Sequence, residues 1–347
     1  MSLFTGRKWP GLLIRILIIA VIFALIARNL DWGGTLEVLR DCSFAPLLGA
    51  VLLYLCNRLL SAVKWKFLLE HNGISVGLGS LLRIIFESNV LGIMIPSSFG
   101  ADLVRTVHLG RREQNLTAVV GSVLADRMLS VMVLASIAVT ASFLAWPLVE
   151  DKNVLLAVGA FGAAAATFIV LCMGDVFFRL YSLARRLFGF LNRAVFRGSE
   201  KVRNATAAIL GKIEEVHSSF SRLKKSGKLF ASVVAINVIV QLFRVGQIHF
   251  IFLALGVSVP ITIELAFVPI ILLLIFLPFF PYMGLGVKEA AFIYFFGLAG
   301  VPAEVSFSAS ILSHLVIIAG MLPGIVLFFT GSGKRALADS GGHGDGR

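Results

Sequence analysis

The chain has 347 residues, 58% of them hydrophobic and 14% charged, with a formal net charge of +12. A mean hydropathy of +0.93 excludes an ordinary soluble domain and indicates an all-α polytopic membrane protein. The basic residues flank apolar runs and accompany no RNA- or DNA-binding motif, so anionic lipid headgroups, not nucleic acid, are the implied counter-charge.

In chain order, Arg7 and Lys8 precede an apolar run at 11–28. The following Arg28-Asn29-Leu30-Asp31 does not suit signal-peptide cleavage, so the run reads as a retained helix. Further apolar spans fall at 44–62, 118–146, 153–173, 229–255 and 305–330, each long enough to cross about 30 Å of hydrocarbon. Two more segments, 78–104 and 262–300, are interrupted by prolines, glycines and charges. Lipid cannot satisfy a freed backbone, so such breaks persist only where protein or a polar cavity lines them.

The distribution of Lys and Arg orients these segments. Arg7 and Lys8 place the N-terminus inside; Lys64 and Lys66 place the loop after the second span inside; Arg105, Arg111 and Arg112 do the same for the loop after 78–104. Segment 78–104 then enters and leaves on one face as a re-entrant hairpin, and 262–300 does so from the other face. The expected architecture is about six full transmembrane helices plus two re-entrant helical hairpins in an inverted repeat. The first membrane half is 1–173 and the second 229–330, with both termini cytoplasmic at the inner membrane. The alternative is eight full crossings, which puts Arg105, Arg111 and Arg112 outside.

Between the halves, 174–228 carries twelve Lys or Arg against four acids. Val176, Phe177, Leu180, Leu183, Leu187 and Leu191 keep a three-to-four spacing, with Arg179, Arg186, Arg193 and Arg197 opposite. The segment reads as a basic amphipathic insert, either interfacial or a solvated helical pair that sets topology. The Gly-rich tail at 331–347 reads as disordered.

Charges inside apolar spans are candidate functional groups because each is costly unless paired or wetted. Asn57 and Arg58 lie in the second span, Asp126 and Arg127 near the middle of theirs, and Asn237, Gln241 and Arg244 share one helix face. His314 lies near the middle of the last span. Each also has a structural reading: Arg58 snorkelling to headgroups, Asp126 and Arg127 bonding other helices, Asn237 and Gln241 joining helices, His314 packing. At the first break, Ser97 or Ser98 can cap the half-helix after Pro96, Gly100 supplies a turn, and Asp102 can pair with Arg105 at i+3. A half-helix N-terminus there offers free N–H donors to an anionic headgroup. At the second break, Gly284 and Gly286 permit close backbone approach and Lys288-Glu289 supplies a charged pair.

No HExxH, GxSxG, Walker, CxxC or GxGxxG motif occurs. Cys42, Cys56 and Cys172 stand apart with no His at metal spacing and read as small apolar fillers. No cofactor, metal or catalytic residue is expected.

With Asn57-Arg58, Trp65, Pro96-Ser97-Ser98-Phe99-Gly100-Ala101-Asp102, Asp126-Arg127 and Gly284-Leu285-Gly286-Val287-Lys288-Glu289, the chain resembles the lysylphosphatidylglycerol synthase transmembrane-region family over most of 10–330. The family's flippase-like domain moves an aminoacylated phospholipid between leaflets in its best-known members, beside a soluble aminoacyl-transferase domain. No stretch here reads as that transferase. The resemblance therefore implies a lipid translocase-like protein whose substrate binders are Asn57, Arg58, Ser97, Ser98, Gly100, Asp102, Arg105, Asp126, Arg127, Arg244, Gly284, Gly286, Lys288, Glu289 and His314. The competing expectations are an embedded lipid-modifying enzyme acting through Asp102 and Glu289, and a scaffold whose basic insert recruits a cytoplasmic partner.

Overall fold

The computed structural model describes residues 21–28, 30–92, 95, 99–149, 151–173, 223–275 and 284–327. Most of the first expected span, Pro96, Ser97, Ser98, Pro278, nearly all of the basic insert and the tail lie outside these residues. Among the described residues every regular element is helical. Helix α1 covers 21–28. It is followed by α2 (Trp32–Arg40), α3 (Phe44–His71), α4 (Leu78–Gly92), α5 (Gly100–Arg112), α6 (Leu116–Leu144) and α7 (Lys152–Met173). After the insert come α8 (Gly227–Ala254), α9 (Ile261–Ile275), α10 (Val287–Gly297), α11 (Ala303–Gly320) and α12 (Leu322–Leu327).

Local chemistry sets the starts. Asp31 accepts the Gly33 N–H at 2.9 Å to open α2, and Asn115 accepts the Ala118 N–H at 3.1 Å to open α6. Helix α10 opens at Gly286, whose φ of 84° is costly for a residue with a Cβ; its N–H donates to Glu289 Oε2 at 2.6 Å.

Among the described residues, four helical stretches are long and apolar enough to cross a membrane: α3, α6, α8 and Ala303–Val326, which joins α11 to α12. Leu48, Leu52 and Leu59 of α3 are exposed although apolar, as suits a helix bathed in hydrocarbon on its outer side. Helices α4 and α9 have 15 residues each, α5 has 13 and α10 has 11. At 1.5 Å per residue even the longest of these reaches only about 22 Å, short of a hydrocarbon core.

The short helices fold back on each other in pairs. Gly92 and Gly100 make the first turn so tight that a Cβ on Gly100 would lie 2.4 Å from the Gly92 carbonyl oxygen. Farther along, Glu87 of α4 lies 4.0 Å from His108 of α5, so the two run antiparallel. In the second pair a Cβ on Gly284 would meet Ile275 at 2.8 Å, while Phe267 stacks on Phe295 and Phe296 at 5.4 and 6.1 Å. Each interrupted segment is thus, among the described residues, two short helices packed against each other.

Long, short, short, long is the order in α3–α6 and again in α8–α11. The leading members, α3 and α8, pack antiparallel along their whole length. The Ser43 N–H donates to the Ala254 carbonyl at 2.8 Å at one end, Asn57 Nδ2 to the Val240 carbonyl at 2.8 Å in the middle, and Lys64 Nζ to Asn237 Oδ1 at 3.0 Å beyond it. Contacts between the two sets are reciprocal: α3 touches α11 as α8 touches α6, and α6 packs on α9 as α12 packs on α4. A core of Phe252, Phe267, Phe292 and Phe296 fills the second set, and Trp65, Leu69, Leu81 and Leu109 fill part of the first.

Candidate functional site

Helix α3 continues nine residues past the expected span end at 62, and this carries Lys64 into the protein. Lys64 is 2% exposed. Its Nζ lies 2.7 Å from Asp126 Oδ1 and donates to Asn237 Oδ1 at 3.0 Å and to Ser130 Oγ at 3.4 Å. The other oxygen of Asp126 lies 3.3 Å from Arg105. Arg105 reaches Asp102 Oδ1 at 2.9 Å, and Asp102 Oδ2 lies 2.7 Å from Arg127. An alternating chain of charge, Lys64–Asp126–Arg105–Asp102–Arg127, therefore ties α3, α5 and α6 together. Buried pairs of this kind persist only when geometry and further hydrogen bonds offset the desolvation of both partners.

Aromatic rings support the guanidinium groups. Arg105 lies 4.9 Å over Trp65, Arg127 4.7 Å over Phe99, and Arg58 4.9 Å over Tyr54. Trp65 is fixed in turn by donating its Nε1–H to Ser122 at 3.0 Å. Arg58 also donates to Asn57 Oδ1 at 2.9 Å, while Asn57 holds the α8 backbone.

This network walls a cavity of about 90 Å³ whose lining includes Arg58, Lys64, Ser88, Asn89, Asp102, Arg105, Asp126, Arg127 and Arg244. Arg58 and Arg244 also line a second cavity of about 230 Å³, whose wall combines apolar Val268, Ile271, Leu272, Ile275, Phe292 and Ile317 with polar Asn57, Gln247, Lys288, Ser313 and His314. The two cavities thus meet at the middle of the antiparallel α3–α8 pair.

Beside the second cavity, Glu289 is fully buried. It accepts from the Gly286 N–H at 2.6 Å and from Ser310 Oγ at 3.3 Å, and lies 2.9 Å from His314 Nε2. Lys288 turns away to hydrogen-bond Ser313 and sits 5.8 Å over Phe292.

Most of the residues singled out in the sequence converge here. Arg58, Asp102, Arg105, Asp126, Arg127 and Arg244 gather at the first cavity, and Asn57, Lys288 and His314 at the second, with Glu289 beside it. Ser97 and Ser98 lie outside the described residues. Gly100, Gly284 and Gly286 serve the backbone: the first two allow tight packing and the last starts a helix.

Several expectations need correction. Lys64 belongs to the buried network and does not follow its span as an inner-loop marker. Arg105, Arg111 and Arg112 are helical residues of α5, with Arg105 drawn inward by two carboxylates, and do not form a loop. Lys288 and Glu289, though adjacent, take separate hydrogen-bond partners, because consecutive helical side chains point about 100° apart. Asn237 does join helices, but its partner is Lys64. The sequence signal for Lys64 was present: Arg58, Ser61, Lys64 and Leu68 recur every three to four residues on one face. Ser88, Asn89 and Ser130 are common polar residues that carry no such signal.

The profile of the family described as "Lysylphosphatidylglycerol synthase TM region" matches residues 12–324. A UPF0104 membrane protein of Pyrococcus horikoshii is 25% identical over 318 residues, covering 86% of this chain and 92% of its own. A UPF0104 membrane protein of Methanothermobacter thermautotrophicus is 23% identical over 340 residues, covering 93% and 98%. No solved structure matches the chain.

Proposed function

The chain belongs to the lysylphosphatidylglycerol synthase TM region family, and from that premise we propose that it is a translocase moving a polar-headgroup lipid between the leaflets of the inner membrane. The observation that carries the reading is the meeting of two cavities at Arg58 and Arg244, one within each set of four helices. Because α3 and α8 run antiparallel, the two sets are read as an inverted repeat whose hairpins open toward opposite faces. A headgroup would pass from one cavity to the other across the Arg58–Arg244 junction, while its tails stay in the bilayer. Charged groups at this depth are costly on a lipid-facing helix and are retained where they line a polar path. Paired broken helices at corresponding positions in two halves support the same reading.

The test is reconstitution of the full chain in liposomes with a panel of fluorescently labelled lipids. Protein-dependent movement of label between leaflets with no covalent change supports the translocase. A new lipid product would favour an embedded enzyme, and neither movement nor product would favour a scaffold.

A further inference from the structure

The two cavities are lined from matching places in the two sets of helices, yet their chemistry has diverged. Along α4 and α9 the matching step is 183 residues: Ser88 answers to Ile271 and Asn89 to Leu272. Along α5–α6 and α10–α11 it is 187: Arg105 answers to Phe292, and Arg127 to His314. Three polar positions of the first cavity are thus apolar in the second, while Ala101 of the first answers to Lys288 of the second.

The first cavity is also unbalanced in charge. Its lining has five cations, Arg58, Lys64, Arg105, Arg127 and Arg244, against the two carboxylates Asp102 and Asp126; the second lining holds Arg58, Arg244 and Lys288 with no carboxylate among the described residues, so charge favours an anion in either and the hydrogen-bonding groups must separate them. Both carboxylates are already shared among Lys64, Arg105 and Arg127. Such a surplus of positive charge favours the entry of an anion.

Hydrogen bonding points the same way. Ser88 is 1% exposed and its Oγ has no hydrogen-bond partner among the described residues. Asn89 Nδ2, Arg58 Nε and Arg105 Nε are likewise buried without one. These are donor groups from three different helices around one small space. An acceptor-only group with oxygens in several directions satisfies them together, which describes a tetrahedral phosphate better than a flat carboxylate.

We propose that the first cavity binds the phosphate of a net-anionic lipid headgroup and that its counterpart, with Ile271 and Leu272 in place of Ser88 and Asn89, does not. The assignment rests on the translocase reading for the ligand's being a lipid. An ammonium group beside the phosphate would add to the cationic surplus, so a headgroup with a bare phosphate binds better than a zwitterionic one.

The experiment is thermal denaturation of the purified full chain in detergent, titrated separately with phosphatidic acid, phosphatidylcholine, diacylglycerol and inorganic phosphate. Phosphatidic acid should raise Tm at the lowest concentration, phosphatidylcholine at a higher one, and diacylglycerol not at all. Asn89→Leu, which imports the residue at the matching place, should raise the half-saturating phosphatidic acid concentration about tenfold, as loss of one charge-assisted hydrogen bond predicts. It should leave the lipid-free Tm unchanged, and Leu272→Asn should leave phosphatidic acid binding unchanged. Arg58→Gln should weaken binding at least as much as Asn89→Leu.

Equal stabilisation by diacylglycerol and phosphatidic acid would overturn the proposal, as would wild-type titrations for both Asn89→Leu and Arg58→Gln. Inorganic phosphate acting at concentrations as low as phosphatidic acid would overturn the lipid assignment in favour of a soluble phosphate. Phosphatidic acid binding without any transport in liposomes would sink the translocase and leave the site. Transport without headgroup discrimination would do the reverse.

Discussion

Glu289 and His314, 25 residues apart, meet at 2.9 Å inside the membrane-embedded part of the protein. Asp102 and Arg127, also 25 residues apart, meet at 2.7 Å in the other set of helices, and both members of this pair precede their counterparts by 187 residues. Each pair joins the helix after a hairpin turn to the long helix that follows. In both, a carboxylate is held by a nitrogen base or cation at the same place in the helix order. The Asp102–Arg127 pair sits in a wider chain of charge, whereas among the described residues the Glu289–His314 pair is joined by the Ser310 hydroxyl and the Gly286 N–H.

This matching yields a substitution test. His314→Arg should preserve the contact with Glu289 and leave the unfolding free energy within about 0.5 kcal/mol of wild type, whereas His314→Ala should lower stability by about 1–3 kcal/mol by stripping a partner from a buried carboxylate. Chemical denaturation of the detergent-purified variants measures both. Equal destabilisation by Arg and Ala would mean that shape, not pairing, matters at this position.

The Lys64–Asp126 contact should behave as a coupled pair. Lys64→Met or Asp126→Asn alone should destabilise by about 3–5 kcal/mol, since each leaves a buried charge without its main partner. The double variant should cost less than the sum by at least about 1 kcal/mol. Strict additivity in a double-mutant cycle would remove the 2.7 Å contact from the stability of the fold.

Asp102 separates transport from scaffolding. It is the shared acceptor of Arg105 and Arg127, and Asp102→Asn should abolish lipid movement in liposomes while costing only about 1–2 kcal/mol of stability. Undiminished transport by the Asn variant would take Asp102 out of the path.

Glycine packing at the first hairpin gives a purely structural test. A Cβ on Gly92 would lie 2.5 Å from the backbone nitrogen of Ala101, an atom that cannot move aside without opening the turn. Gly92→Ala should therefore destabilise by 1–3 kcal/mol or more, on the order of overpacking elsewhere. Gly79→Ala, on the same helix with open space around it, should instead be neutral or stabilising by up to about 1 kcal/mol. Thermal melts of the two variants side by side decide the matter.

Topology is testable with single cysteines. Reagents that cannot cross the membrane, added from outside, should modify a cysteine near Gly284 but not one near Gly100, because the hairpins are expected to open to opposite faces. Equal modification at both positions would refute the inverted arrangement.

Much of this was written in the sequence. Runs of apolar residues fix the long helices, because about 20 residues of hydrocarbon-compatible helix admit no other stable backbone in lipid. The breaks around Pro96 and Gly284 likewise announce the hairpins, since proline and positive-φ glycine cannot continue a helix. Asp102, Arg127, Glu289 and His314 stood out because charge within an apolar span is rare. What only the tertiary structure decided was partnership. Lys64 reads in sequence as the basic end of a span, because positive-inside reasoning treats any Lys near a span end as facing water. The structure buries it, since Asp126 and Asn237 come within hydrogen-bond reach from α6 and α8. Lys288 and Glu289 read as a pair by adjacency, but helical geometry sends one to Ser313 and the other to His314. The cavities, and the meeting of Arg58 and Arg244 between them, arise from helices nearly 200 residues apart in sequence packing antiparallel, a relationship that no local pattern records.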